Sequence, residues 1–318
     1  MVSKLIFASA VIVTATTFFL FGAYCQHVDV LRNLQKVIQN DPYAFFMRSK
    51  LYDSFRFFGI NEDEYEEPTR MQQIMKYGFP SMDDVRLYSD FVLSYDRRNR
   101  VAHWVYEHLT ANCLRNNAGV RRRYAHYLPD MSVPSNFRTD TTDYSCSGFD
   151  RGHLAAAGNH KCQQMHCNET FYLTNIAPQV GRGFNRDAWN KLEIYIRELT
   201  ERYNSVYVCT GPLYMPKEKP SNKYCVEYQV IGPKTIAVPT HFFKVITVES
   251  KLPGGSPYME AYVMPNAPID SDIDIRGFLS DIKVIERNSG LQFFKGIRRC
   301  EFFGTNFKTV HELYKTFQ

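Results

Sequence analysis

Charge is missing from residues 5 to 24, "LIFASAVIVTATTFFLFGAY". Twenty helical residues span about 30 Å, the thickness of a bilayer core. A secretory signal has a shorter apolar run, a basic start and small residues at the cut. Here Lys4 is the only early charge, and Ala23 and Cys25 offer a cleavage site, so membrane anchor and cleaved signal both fit. Arginine is absent before Arg32, which excludes an Arg-rich matrix presequence. Cysteine is too sparse for a disulfide scaffold, with eight residues scattered over 318. Cys162 and Cys167 lie among His153, His160 and His166, but the two close-spaced ligand pairs usual for structural zinc are missing. Internal repeats and low-complexity segments are absent as well.

Net charge is small, with 38 Lys and Arg against 33 Asp and Glu giving +5. Its placement says more. Arg97, Arg98 and Arg100 form one basic cluster, and Arg121, Arg122 and Arg123 form another. A solvated face accounts for either alone. Two clusters flanking a candidate site favour a polyanionic partner.

What the chain does have is apolar bulk. At 44% hydrophobic, with 21 Tyr and 24 Phe, it builds a large core in one or two domains and is not disordered. Residues 1–25 read as the targeting or anchor segment. Residues 26–76 read as an N-terminal extension, helical and amphipathic in patches to residue 60, then the acidic linker "NEDEYEEP". Residues 77–318 form the main domain. "FVLSYD", "VAHWVYEHL", "VYVCTGP", "KYCVEYQVIG", "TIAVPTHFFKVITVE" and "MEAYVMPN" are strand-like and separated by turns such as Gly211-Pro212 and Gly232-Pro233. Strands without regular intervening helices predict an α+β domain around a central antiparallel sheet. One helix stands out over 187–203, where Trp189, Leu192, Ile196, Leu199 and Tyr203 recur at helical spacing. Its polar face carries Glu193 and Arg197 one turn apart, which a simple ion pair would explain.

The segment "FDRGHLAAAGNH", residues 149–160, sets Asp150, Arg151 and His153 beside residues too small to fill a core. "FYLTNIAPQ" with Asn175 and "GFNRDAWNKLE" with Asn185 and Glu193 follow. Phosphodiester hydrolysis needs a base for water, a cation for developing charge and help for the leaving oxygen. Histidine suits the first role, with an ordinary pKa of about 6.5. Magnesium suits the second, because it prefers oxygen ligands and keeps several waters. An Asn carbonyl holds such an ion without adding charge. A two-metal site would need several carboxylates, and this region has few. The alanines 155–157 admit a phosphate backbone close to His153, or they pack a tight turn. Asp150 is expected to orient Arg151 or the loop.

At these residues the chain resembles the DNA/RNA non-specific nucleases with a ββα-metal (His-metal finger) site, and most closely their mitochondrial members. The resemblance covers roughly residues 77–297, through "GFDRGHLAAAGNH", "ETFYLTNIAPQV", "AWNKLE", "YVCTGPLYMP", "YQVIG", "AVPTHFFKV" and "YVMPNAP" in the family's order. It implies a magnesium-dependent (or manganese-dependent) endonuclease acting on DNA and RNA, a homodimer leaving 5′-phosphate ends. By that match His153 is the general base and Asn185 the direct metal ligand. Glu193 holds water of the hydrated ion, Arg151 and Arg197 contact phosphate or leaving group, and Asn175 supports the site's geometry. Where relatives usually read "LNQ", this chain has Phe184-Asn185-Arg186. Arg186 therefore joins Arg97, Arg98 and Arg100 as an expected nucleic-acid contact that alters DNA or metal binding.

Two rival readings stand beside this one. The chain is a catalytically inactive nucleic-acid-binding descendant, or a zinc-stabilised interaction module around Cys162 and Cys167. A non-specific nuclease must be kept from the genome. The resemblance favours the mitochondrial intermembrane space or inner membrane, with residues 5–24 as anchor or bipartite signal. Secretion is the alternative, suggested by the Arg-poor start and the sequon Asn168-Glu169-Thr170. A glycan there would obstruct the adjoining "FYLTN" segment, read as strand-like, and removal of residues 1–25 leaves an odd seven cysteines.

Overall fold

The computed structural model describes residues 68–294 apart from 116, 118, 221, 222, 253 and 254. The expectations for the apolar segment, the amphipathic patches, the acidic run up to Glu67 and the tail after Arg298 lie outside the described residues.

In chain order the strands are β1 (Val85–Leu87), β2 (Phe91–Asp96), β3 (Val101–Leu109), β4 (Asp150–His153), β5 (Ile176–Gln179) and β6 (Ser205–Leu213). They continue as β7 (Lys217–Lys219), β8 (Lys223–Cys225), β9 (Val230–Ile231), β10 (Ile236–Ala237), β11 (His241–Glu249) and β12 (Tyr258–Pro265). The helices are α1 (Arg70–Ile74), α2 (Ala111–Leu114), α3 (Gln164–Glu169), α4 (Trp189–Arg202) and α5 (Ile282–Ser289). Six strands build the main sheet in the order β1-β2-β3-β6-β11-β12, every pairing antiparallel. This is the expected α+β architecture.

Both faces of the sheet are covered, because successive side chains of a strand point to opposite sides. Val206, Val208, Phe242 and Ile246 enter one core, and Tyr207, Cys209, Phe243 and Val245 enter the other. The first face receives α4, whose Trp189, Leu192, Ile196 and Leu199 are buried at the spacing read from the sequence. The second receives α1 and α5 through Ile74, Val284 and Ile285, with Met75 just beyond α1. Ile74 and Met75 are wholly buried, and the packed unit begins at Arg70, inside the stretch that the sequence assigns to the extension.

Three segments differ from expectation. "KYCVEYQVIG" yields two short strands, β8 and β9, instead of one. "TIAVPTHFFKVITVE" breaks between β10 and β11 around Pro239, which has no N–H for a ladder. "FYLTN" is a single 3-10 turn at Leu173–Asn175 leading into β5. Its Asn175 side chain bonds the backbone of Thr170 and Ala155, which curls the chain before it extends.

Candidate active site

β4 and β5 pair antiparallel, with Asp150 opposite Gln179 and His153 opposite Ile176. Gly152 permits this pairing, since a Cβ there would lie 2.0 Å from the Gln179 side chain. The chain then passes through a kinked turn at Gly181–Ala188 into α4. Gly183 takes φ +83° in that turn, and a Cβ on it would lie 2.9 Å from the backbone of Pro268 and Ile269. Asn266 fastens the same region. Its Oδ1 accepts from Val180 N at 2.8 Å, and its Nδ2 donates to Pro178 O and Pro239 O at 3.0 and 2.9 Å.

Two strands followed by a helix thus frame a cavity of about 530 Å³. His153, Arg151, Asn185, Arg186, Glu193 and Arg197 all line it, as do Asp150, Tyr127 and Arg122. Asn175 stands behind the wall, wholly buried. Its Oδ1 accepts from Ala155 N at 2.9 Å and its Nδ2 donates to Ala155 O at 3.0 Å, fixing the loop after His153.

Arg97, Arg98 and Arg100 are not among the lining residues. They sit at the tip of the β2–β3 hairpin, which Asp96 folds by accepting from the backbone N–H groups of Arg98 and Asn99. Arg97 pairs with Asp84 at 2.7 Å, and Arg100 reaches the carbonyls of Arg98 and Asn136. From the other basic cluster Arg122 does enter the site, 5.8 Å from the centre of the Phe171 ring.

His153 is buried among aromatic rings, 4.6 Å from Phe171 and 5.7 Å from Tyr127 between centroids. Among the described residues its Nε2 has no hydrogen-bond partner. Burial, with Arg122 and His160 adding to it, pushes its pKa down to about 3. The imidazole is therefore neutral near pH 7. Arg151, on the same side of β4, lies over the Tyr127 ring at 4.5 Å.

Of the two roles expected for Asp150, orienting Arg151 or orienting the loop, the first is not seen, because neighbours on a strand point apart. It accepts from Arg186 through both oxygens at 2.8 and 2.6 Å, and from Asn185 Nδ2 at 2.9 Å. Arg186 holds its carboxyl below the usual range, with Asn185 helping and partial burial opposing. Nor do Glu193 and Arg197 form the simple ion pair. Arg197 Nη1 donates instead to Asn159 Oδ1 at 3.2 Å. Burial raises the Glu193 carboxyl, opposed by Lys244 and Arg197. Of the three alanines, Ala155 is wholly buried in the first core, while Ala156 and Ala157 line the cavity.

Two polar features are not legible in the sequence. Lys244 is buried on the α4 side of β11, its Nζ 2.8 Å from Thr210 Oγ1 and 4.7 Å from the Trp189 ring centre. Nothing in "HFFKVITVE" distinguished it from a snorkelling lysine. Glu107, Asn159 and His160 form a second buried cluster that only the fold brings together.

Among the described residues no three His, Cys, Asp or Glu side chains converge to hold a metal. Cys167 packs with Ala125, Ala157 and Phe171, and Cys162 Sγ donates to Cys113 O at 3.1 Å, so neither faces a common zinc centre. The cavity offers an amide oxygen and a carboxylate, donors suited to a hydrated hard cation. Asn185 Nδ2 is engaged by Asp150, and among the described residues nothing donates to its Oδ1.

The imidazole of His153 thus lies among guanidinium groups on a strand–strand–helix frame. The chain matches the model of the DNA/RNA non-specific endonuclease family over residues 70–299 and belongs to that family. It is a nuclease. It is 49% identical over 227 residues to "Endonuclease G, mitochondrial" of Caenorhabditis elegans, covering 71% of this chain and 73% of the relative. To the Homo sapiens protein of the same name it is 48% identical over 225 residues, covering 71% and 74%. The crystal structure of an EndoG/EndoGI complex contains a chain superposing with a TM-score of 0.72 at 55% identity, covering 73% of this chain and 94% of that one.

Proposed function

We propose that this chain is a magnesium-dependent, sugar-non-specific endonuclease in which β4, β5 and α4 form the ββα-metal element. The observation that carries the reading is that His153, Asn185, Glu193, Arg151 and Arg197 line one cavity although the sequence spreads them over a strand, a turn and a helix.

His153 accepts the proton of a water, and the resulting hydroxide attacks phosphorus. The P–O3′ bond breaks, the 3′ oxygen leaves and takes up a proton, and a 5′-phosphate end remains. Arg151 and Arg197 hold the phosphate and offset the charge that grows on it. Asn185 and Glu193 would hold the cation, which supplies electrophilic polarisation and leaving-group stabilisation when bound. Manganese shares these oxygen-donor preferences and would substitute. Arg186, Arg97, Arg98 and Arg100 contact flanking nucleic acid.

The functional form is a homodimer, held in the mitochondrial intermembrane space or at the inner membrane through residues 5–24. The names of the relatives support the mitochondrial reading. Fractionation of a C-terminally tagged chain tests it, since glycosylated, signal-cleaved enzyme in the medium with none in mitochondria points to secretion.

Purified protein incubated with plasmid DNA, then with RNA, tests the activity itself. Cleavage of both that stops with EDTA, returns with magnesium and leaves 5′-phosphate ends is expected. EDTA leaves the melting temperature unchanged, because the metal is catalytic. Absence of cleavage with magnesium restored supports the inactive descendant, and unfolding on chelation supports the zinc module.

A further inference from the structure

We infer that Asn159 is a positioning residue that holds Arg197 in the geometry of the cleavage step, as the last link of a buried hydrogen-bonded chain beginning at Asp90. The inference rests on the nuclease reading for its catalytic consequence and on the structure alone for its geometry.

The links are all side-chain contacts. Asp90 Oδ2 meets His160 Nδ1 at 2.8 Å, and His160 Nε2 meets Glu107 Oε1 at 2.9 Å. The same Glu107 oxygen accepts from Asn159 Nδ2 at 2.9 Å. With its nitrogen fixed, Asn159 turns its Oδ1 to Arg197 Nη1 at 3.2 Å. Asp90, Glu107, His160 and Asn159 are buried, whereas Arg197 is half-buried and reaches the cavity. At its far end Asp90 is fastened by Arg70 at 2.6 Å.

Two observations separate this arrangement from ordinary packing. Gly158 lies directly against the guanidinium, and a Cβ there would come within 3.2 Å of Arg197 Nη1. The loop is thus shaped to the arginine. Two carboxylates buried with an imidazole also cost desolvation that apolar side chains of equal volume avoid. His160 is held in its charged form despite burial, by hydrogen bonds to Asp90 and Glu107. The network orients one long, otherwise rotatable side chain before substrate arrives, which lets its charge act without reorganisation.

Arg197 acts on charge that develops during cleavage, so loss of its anchor should affect turnover more than binding. Asn159→Ala is expected to lower kcat by about 10-fold with KM nearly unchanged, since misplacing a catalytic group by about 1 Å costs up to about 10²-fold. The same change made in an Arg197→Ala background should cost nothing further. Equal losses in the two backgrounds, or an unchanged kcat, would overturn the inference. Asn159→Ser supplies the same comparison where the alanine variant fails to fold. A crystal structure of the folded variant gives a readout independent of activity: the Arg197 guanidinium should leave its place against Gly158. If it stays there, the inference is wrong whatever the enzyme cleaves. An inactive wild type would instead strike the nuclease reading while this geometric test stands.

Discussion

Asn185 donates its side-chain nitrogen to Asp150 Oδ2 across 2.9 Å. An amide held by its nitrogen keeps its oxygen as the end open to a cation. Asp150→Ala should therefore raise the magnesium concentration for half-maximal cleavage by ~10-fold, the scale on which partners of metal ligands act. Asn185→Ala should do the same and be partly restored by excess magnesium. A magnesium titration identical to wild type for both variants would remove Asn185 from the metal site.

Turnover should depend on the neutral ring at the head of the Ala155–Ala157 loop. His153→Ala is expected to lower kcat by at least ~10²-fold, as removal of a general base does. Binding of a non-cleavable duplex should persist, because the arginines remain. Near-normal cleavage by this variant would assign the base to another group.

DNA affinity should fall steeply with salt, and the slope of log K against log salt should shrink by roughly 1 for each phosphate contact removed. Arg122→Ala tests a guanidinium in the cavity. Neutralising Arg97, Arg98 and Arg100 tests the hairpin tip, where the engagement of Arg97 with Asp84 leaves less charge to offer. If the triple variant keeps the full slope, the tip is a solvated surface and the duplex lies elsewhere.

Fold stability should weaken on the alkaline side. Burial opposes the charge on His160, but its hydrogen bonds to Asp90 and Glu107 raise its pKa to about 9. A folded-state pKa above the unfolded value of about 6.5 means stabilisation that is complete below that value and lost as pH rises through about 9. Asp90 and Glu107 face the ring, Arg70 backs Asp90, and His166 lies 3.7 Å from the same carboxylate. Chemical denaturation between pH 6 and 10 should show a decline that His160→Gln flattens. A parallel decline in both proteins would place the sensitivity in other groups.

Sequence legibility follows how far apart interacting residues stand in the chain. Trp189, Leu192, Ile196 and Leu199 announce their helix because their periodicity is local, and the strands are plain from β-branched and aromatic runs. His153 and Asn185 carry the family's motif and occupy one cavity. The pairing of Asp150 with Arg186 is not legible in the sequence, because Arg151 is adjacent while Arg186 is brought in by the β4–β5 pairing. The link from Asp90 through His160, Glu107 and Asn159 joins positions whose nearest neighbours look ordinary, and only the folded sheet makes them one unit. Lys244 is not legible either, because a charged residue inside an apolar strand does not reveal which face it occupies.

The Asn266 clamp also imposes an order in time. Val180, at the entrance to the turn that presents Asn185, is bonded to a side chain 86 residues further on, and Gly183 nests against Pro268 and Ile269. A chain emerging from the ribosome, N-terminus first, makes His153, Asn185 and Glu193 well before it makes these props. The turn that carries Asn185 can gain these contacts only after the last strand of the main sheet and the segment beyond it have been made. Most of the polypeptide is thus synthesised before that turn can be braced, and an unfinished product lacks the contacts that fasten it.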